Sequence, residues 1–398
     1  MKKTLRQLLA AGLVAGNLFF ASTVNAEVKT YTGTDEYIMS EFETLDIAKQ
    51  RAKQKAERNA QEKAGVYISS YSETKDLELV TDEIVSITCG IMSVVDVKYE
   101  MQPLEDVNGF AIRATVTANI ETDDVNKWLE KGAQEKSDIV AQNKELQKAV
   151  DEQNATIEKL KAQVKQLKAG GKLTGKRERE KFTREFATED KVFLSNQKLE
   201  DAQKKFFAHD FPAVIKLCTE AIELNPNSTI AYGKRGAAYG VTNQTKLALA
   251  DLNKAIELDA TNADAYNNRG ATFGNMKNFN AAVADFDKAI ELDPKNAMAY
   301  NNRGGTLRYL GNVQQGLQDL TRAIELNPKL DIAYYNRVFC YISAGDINNA
   351  ISDIDKVIAL RPNFAQAYYV RGQCYQMKGE LSKAQLDFTK AQQLGFRG

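Results

Sequence analysis

Apolar and polar positions repeat along this chain with several distinct periods, and each period predicts a different element. An apolar stretch, Leu8 to Ala21, follows Lys2, Lys3 and Arg6. Small residues then recur at every fourth position, Ala48, Ala52, Ala56, Ala60 and Ala64, as on one face of a helix. Strict alternation replaces this at Val95, Val97, Tyr99 and Met101. It resumes from Phe110 through Ile112, Ala114, Val116 and Ala118 to Ile120. Asn108-Gly109 between the two runs predicts a β-hairpin. Near residue 139 the apolar steps become four and three, and from Ser195 to Gly398 a unit of 34 residues recurs six times. A fixed period of that length means stacked helix pairs, an α-α solenoid.

The first 26 residues read as a cleaved export signal ending at Val24-Asn25-Ala26, because their apolar stretch is too short to span a bilayer. The mature chain is therefore expected to begin at Glu27 in the periplasm or cell envelope, with no transmembrane segment after cleavage. Residues 27–121 read as a small α+β domain of order β-α-β-α-β-β. Ser40 and Glu43 form a capping box for the alanine-striped helix, and Gly65 is expected to end it. A strand near Val66 to Ser72 and a short helix near Asp82 to Ile91 then precede the hairpin. The striped helix followed by GVYISSYSE resembles the N-terminal domain of the flagellar assembly protein T family and the related LPP20 envelope lipoproteins. That resemblance implies an envelope assembly role and no catalytic residues.

Residues 122–168 predict a helix carrying a heptad seam. Asn143, Val150, Ile157 and Val164 take a positions, and Ile139, Leu146, Gln153, Leu160 and Leu167 take d. β-Branched residues at a with leucine at d favour two parallel strands, and a buried Asn143 would fix register, so the seam predicts a parallel homodimer. A single amphipathic helix lying on the repeats is the other reading. Residues 169–194 read as a hinge and charged segment, with Gly170-Gly171 ending the rod and the charged run from Lys176 most simply a solvated helix face.

The six units are 195–228, 229–262, 263–296, 297–330, 331–364 and 365–398. In the third, Tyr266, Gly270, Phe273, Ala282, Ala289 and Pro294 stand at positions 4, 8, 11, 20, 27 and 32, and the set resembles the tetratricopeptide repeat. The first unit lacks the tyrosine and glycine, as a terminal capping unit would. Arginine at position 7 is accompanied by aspartate at position 23 in five units, from Arg235 with Asp251 to Arg371 with Asp387. This covariation within one chain predicts an ion pair between the two helices of a repeat.

The resemblance places position 6 on the concave face, where Asn268, Asn302 and Asn336 form a ladder able to grip an extended peptide backbone. Met298, Tyr309, Tyr335, Phe339, Ile342 and Tyr369 add apolar surface beside it. Three carboxamide contacts at about 0.5–1.5 kcal/mol each fall short of the roughly 8 kcal/mol of micromolar binding, so the apolar residues must carry much of the affinity. The basic residues of a carboxylate clamp are missing.

Composition narrows the function further. With 53 basic and 53 acidic residues the net charge is zero, giving no reason to expect nucleic acid as partner. Cys89, Cys218, Cys340 and Cys374 form no metal-type pair, and Cys340 and Cys374, which share one repeat position, read as small core residues; no cofactor is expected. His209 is the only histidine, and no phosphate-binding loop or nucleophile elbow occurs. The sequence therefore predicts a non-catalytic adapter with a protein or peptide partner, or alternatively an envelope or flagellar assembly factor that recognises its partner through the N-terminal domain.

Overall fold

The computed structural model describes residues 27–74, 87–88, 91–104, 110–129, 133–170, 173 and 175–396, without the side chains of 70–74, 133–139, 141–142 and 207. The export signal, the Asn108-Gly109 turn, Cys89, the Ile139 side chain and most of the short helix near 82–91 lie outside the described residues. Strands β1 (Val28–Ile38), β2 (Ser93–Pro103) and β3 (Phe110–Glu121) form one antiparallel sheet in the order β1-β3-β2. Helix α1 (Leu45–Thr74) covers one face of it.

All five alanines of the stripe are fully buried, as are Ile112, Ala114, Val116 and Ala118 on β3. Approach is so close that a Cβ on Gly33 of β1 would lie 2.0 Å from the Ala56 carbonyl oxygen. The opposite face of the sheet is polar and solvated, with Thr30 donating to Asn119 at 2.8 Å and Arg113 to Glu36 at 3.2 Å.

Three expectations for this domain are corrected. Residues 66–72 continue α1 instead of forming a strand, so the sheet has three strands. Ile68 extends the every-fourth row by one more turn and is buried with Ile87, Ile120, Val125 and Trp128. Burying it gains about 1.5–3 kcal/mol, which outweighs the roughly 1 kcal/mol cost of Gly65 inside a helix. At the other end α1 begins at Leu45, where Thr44 Oγ1 accepts from the Ile47 amide. The bond from the Ser40 amide to Glu43 Oε2, 2.7 Å, closes a turn ahead of the helix.

Helix α2 (Thr122–Leu129) leads from the sheet, and α3 (Ala133–Ala169) and α4 (Lys176–Phe207) fold back on each other. The hairpin is antiparallel: Gln153 Nε2 donates to the Glu189 carbonyl, while Ile157 and Val164 pack with Phe182 and Phe186. The seam expected to face a second copy thus faces the same chain. Leu146, Val150, Ile157 and Val164 are buried there, Leu160 is partly buried, and the Asn143 carboxamide nitrogen is buried without a partner rather than paired with a twin. An intramolecular partner at high effective concentration competes against dimerisation. The charged run from Lys176 forms a solvated helix face, that of α4, which continues without a break into the first repeat.

Six helix pairs complete the chain. The end of α4 pairs with α5 (Phe211–Leu224), followed by α6 (Thr229–Val241) with α7 (Thr245–Leu258), and α8 (Ala263–Asn275) with α9 (Phe279–Leu292). Then come α10 (Ala297–Tyr309) with α11 (Val313–Leu326), α12 (Asp331–Ser343) with α13 (Ile347–Leu360), and α14 (Ala365–Met377) with α15 (Leu381–Gln393). The turn within each pair has a left-handed residue at position 15: His209, Asn243 and Lys277 in the first three, and glycine at 311, 345 and 379 thereafter. The lone histidine is thus a turn residue beside Phe211.

Candidate functional site: the inner face of the repeats

The predicted arginine–aspartate pairs are present in all five repeats as two-pronged contacts. Arg303, for example, donates from Nε and Nη2 to Asp319, both at 2.7 Å. The same arginines use Nη1 to reach back to position 25 of the preceding repeat: Thr219, Asn253, Asp287, Thr321 and Asp355, at 2.6–3.0 Å. Each guanidinium also lies 5.4–5.7 Å from the ring of the position 4 tyrosine. One side chain therefore ties together both helices of its own repeat and the repeat before it. The backward arm was legible as the Thr/Asn/Asp series at position 25, which sequence reasoning passed over.

The asparagine ladder is engaged within the protein. Asn302 Nδ2 donates to Asn267 at 3.0 Å, Asn301 to Asn302 at 3.0 Å, and Asn336 to Asn301 at 2.9 Å. Position 5 and position 6 carboxamides thus form a chain across the third, fourth and fifth repeats, outside which Asn268 stands. Each amide in it has at least one hydrogen or lone pair left, so the ladder retains part of its capacity for a ligand. Its first task is to hold three repeats in register.

The apolar residues separate into open and covered sets. Tyr309 is 62% exposed, stacked on Phe279 at 5.0 Å and against the Arg308 guanidinium at 4.2 Å. Arg308 also lies 5.5 Å from the Phe339 ring, so an aromatic–cation–aromatic row crosses from the fourth repeat to the fifth. Phe339 packs edge-on against Tyr335, whose hydroxyl is buried without a hydrogen-bond partner. Burial raises that phenol above its ordinary range. Met298 and Ile342 are half-buried flanks of the cores beneath. Tyr369 is not available as expected: Phe396 stacks on it at 4.4 Å and Phe388 covers it at 5.5 Å, so it anchors the C-terminal segment. Leu381 and Leu386 on the last helix are open, at 65% and 71% exposure.

On the first two repeats the inner face is covered by the chain's own N-terminal half. Gln54 of α1 donates to Glu200 of α4 at 3.0 Å, and Asn262 Nδ2 donates to Glu145 of α3 at 3.4 Å. Burial pushes the Glu200 carboxyl up to about 7. A cavity of about 140 Å³ lies where α1, β2, α3 and α4 meet, lined by side chains including Gln54, Asn143, Leu146 and Gln203. Cys218, Cys340 and Cys374 are buried free thiols within the repeat core. Among the described residues no group of three or more His, Cys, Asp or Glu is arranged to hold a metal ion, and no helix is long and apolar enough to cross a membrane.

Comparison with known proteins agrees with this geometry. Models described as tetratricopeptide repeat or TPR repeat match residues 242–277, 263–296, 286–318 and 332–364. No curated protein matches the chain. Among solved structures it is similar to YrrB, titled a TPR protein with an unusual peptide-binding site, at 29% identity over 45% of this chain and 92% of that one, TM-score 0.37. MamA is 28% identical over 40% of this chain and 93% of its own, TM-score 0.37. A tetratricopeptide repeat protein from Parabacteroides merdae is 23% identical over 60% and 93%, TM-score 0.43. The chain contains tetratricopeptide repeats, a scaffold of protein–protein interaction that is generally non-catalytic.

Proposed function

We propose that this protein is an exported, non-catalytic adapter that holds a segment of a protein partner on the inner face of its repeats. The observation that carries the reading is the row Tyr309–Arg308–Phe339, an amphipathic surface in which Tyr309 is 62% exposed and Arg308 and Phe339 are half-buried. Aromatic side chains and arginine are the residue types that contribute most at protein interfaces. Remaining carboxamide capacity at Asn302 and Asn336 lies beside it for polar contacts. Export rests on the first 26 residues, and a mature N-terminus at Glu27 in the periplasmic fraction, read by mass spectrometry, is the expected result.

The parallel dimer is not part of this proposal, because its seam is buried in the α3–α4 hairpin. The test is a photo-reactive residue at 309 in the full chain, irradiated in envelope extract. A discrete crosslinked protein, lost when Arg308→Ala and Phe339→Ala are added, is expected; an identical crosslink pattern in that variant would refute the reading.

A further inference from the structure

The chain's own α3 shows what kind of segment the inner face accommodates. Leu146 is buried with Leu199 and Ala202 of the first repeat and Ala231 and Ala238 of the second. Glu145, one residue earlier, accepts from Asn262 Nδ2 at 3.4 Å. It also interacts with Lys234, a buried lysine at position 6 of the second repeat, the place that asparagine takes in the next three. Burial pushes the Glu145 carboxyl up and the Lys234 ammonium down, and the attraction between the two opposes both shifts. The hairpin being antiparallel, the start of α3 points farther along the repeats, and α3 comes within 8 Å of α12 in the fifth.

Glu145 and Leu146 are sequence neighbours, and both engage the repeats. In an extended peptide adjacent side chains point to opposite faces, whereas on a helix they are about 100° apart and can share one broad contact. The slots for an acid and for a leucine, side by side, therefore suit a helix better than the extended peptide that the asparagine ladder alone suggests.

We propose that the groove binds an amphipathic acidic α-helix of the partner, setting a carboxylate against Lys234 and Asn262 and the next leucine among Leu199, Ala202, Ala231 and Ala238. The start of α3, up to Leu146, holds that site in the resting chain and leaves when the partner helix enters. This rests on the reading of the inner face as the partner site. It adds that the site is self-occupied and selects helices over strands.

The test uses the full chain and a fluorescent peptide of residues 133–150 as probe. Glu145→Lys in the chain sets a lysine against Lys234 while leaving the receptor side and Leu146 intact. It is expected to bind the peptide at least 10-fold more tightly than the wild-type chain does, with a gain of helical circular dichroism. A peptide carrying Glu145→Lys is expected to lose that binding, and so is the opened chain with Lys234→Ala. Equal affinity of wild-type and Glu145→Lys chains would overturn self-occupation, and binding without helix gain would overturn the helical class. Either failure leaves the crosslink at position 309 to decide the proposed function separately. Leu146→Ala, which weakens the same contact without a charge change, provides a second opening variant.

Discussion

Arg51 and Asp190 are separated by 139 residues in sequence and by 3.0 Å in space. The arginine, 2% exposed, also donates to Glu43 and to the Tyr37 hydroxyl, and its guanidinium lies 5.2 Å from the Phe193 ring. One buried cation thus joins the N-terminal domain to the helix that opens the solenoid. Replacing it by methionine strands the Glu43 carboxylate, which is fully buried. The expected cost is about 3–5 kcal/mol, read as a lowered midpoint in urea. Asp190→Asn, on the more open side of the network, is expected to cost about 1 kcal/mol. Equal effects of the two would mean that Glu43 does not depend on Arg51.

The backward arm of the position 7 arginine predicts coupling between repeats. A double-mutant cycle on Arg303 and Asp319 is expected to give about 1–3 kcal/mol, and a second cycle on Arg303 and Asp287 about 0.2–1 kcal/mol. The difference follows from exposure, since Asp319 is 8% exposed and Asp287 55%. Arg303→Lys retains the charge and loses the fork, so it is expected to recover less than half of the first coupling.

Glu200 predicts a pH dependence. Burial raises its carboxyl to about 7 from 4.5, so the folded chain holds this proton more tightly than the unfolded one. Its contribution to stability is complete below pH 4.5, falls as the pH rises to about 7, and is flat beyond. The whole change is about 3 kcal/mol at most. Urea unfolding of Glu200→Gln is expected to lack that slope and to show a higher midpoint than wild type at pH 8.

Gly33 is the tightest point of the N-terminal domain. A Cβ there would meet backbone atoms, the Ala56 carbonyl at 2.0 Å and the Ala60 nitrogen at 2.5 Å, so neither can yield by a side-chain rotation. Gly33→Ala is expected to destabilise the domain by about 3 kcal/mol or more, seen as an early transition with the repeat helices still folded. A single transition at the wild-type midpoint would contradict this packing.

Local pattern carried the repeats and the hairpin because in both the partners are sequence neighbours. The same rule explains the failures. A heptad seam reports that one helix face is buried and says nothing about what buries it; Ile157 and Val164 satisfy α4 as well as they would a second copy. Gly65 looked like a terminator because helix propensity is local, whereas Ile68 is held by Trp128 and Ile120, over 50 residues away in sequence. The internal partners of Asn302 and Asn336, Asn267 and Asn301, are themselves asparagines one position earlier in the neighbouring repeat, so position 6 taken alone does not disclose them. Nothing in the local pattern distinguishes a carboxamide that waits for a ligand from one that staples its neighbour.

Helix α4 runs from Lys176 to Phe207 as one piece, its first half packed on the N-terminal domain and its second half serving as the first helix of the solenoid. A shaft shared in this way transmits torque. The N-terminal domain and the first repeat are therefore held on one continuous helix, whose length sets the distance between them.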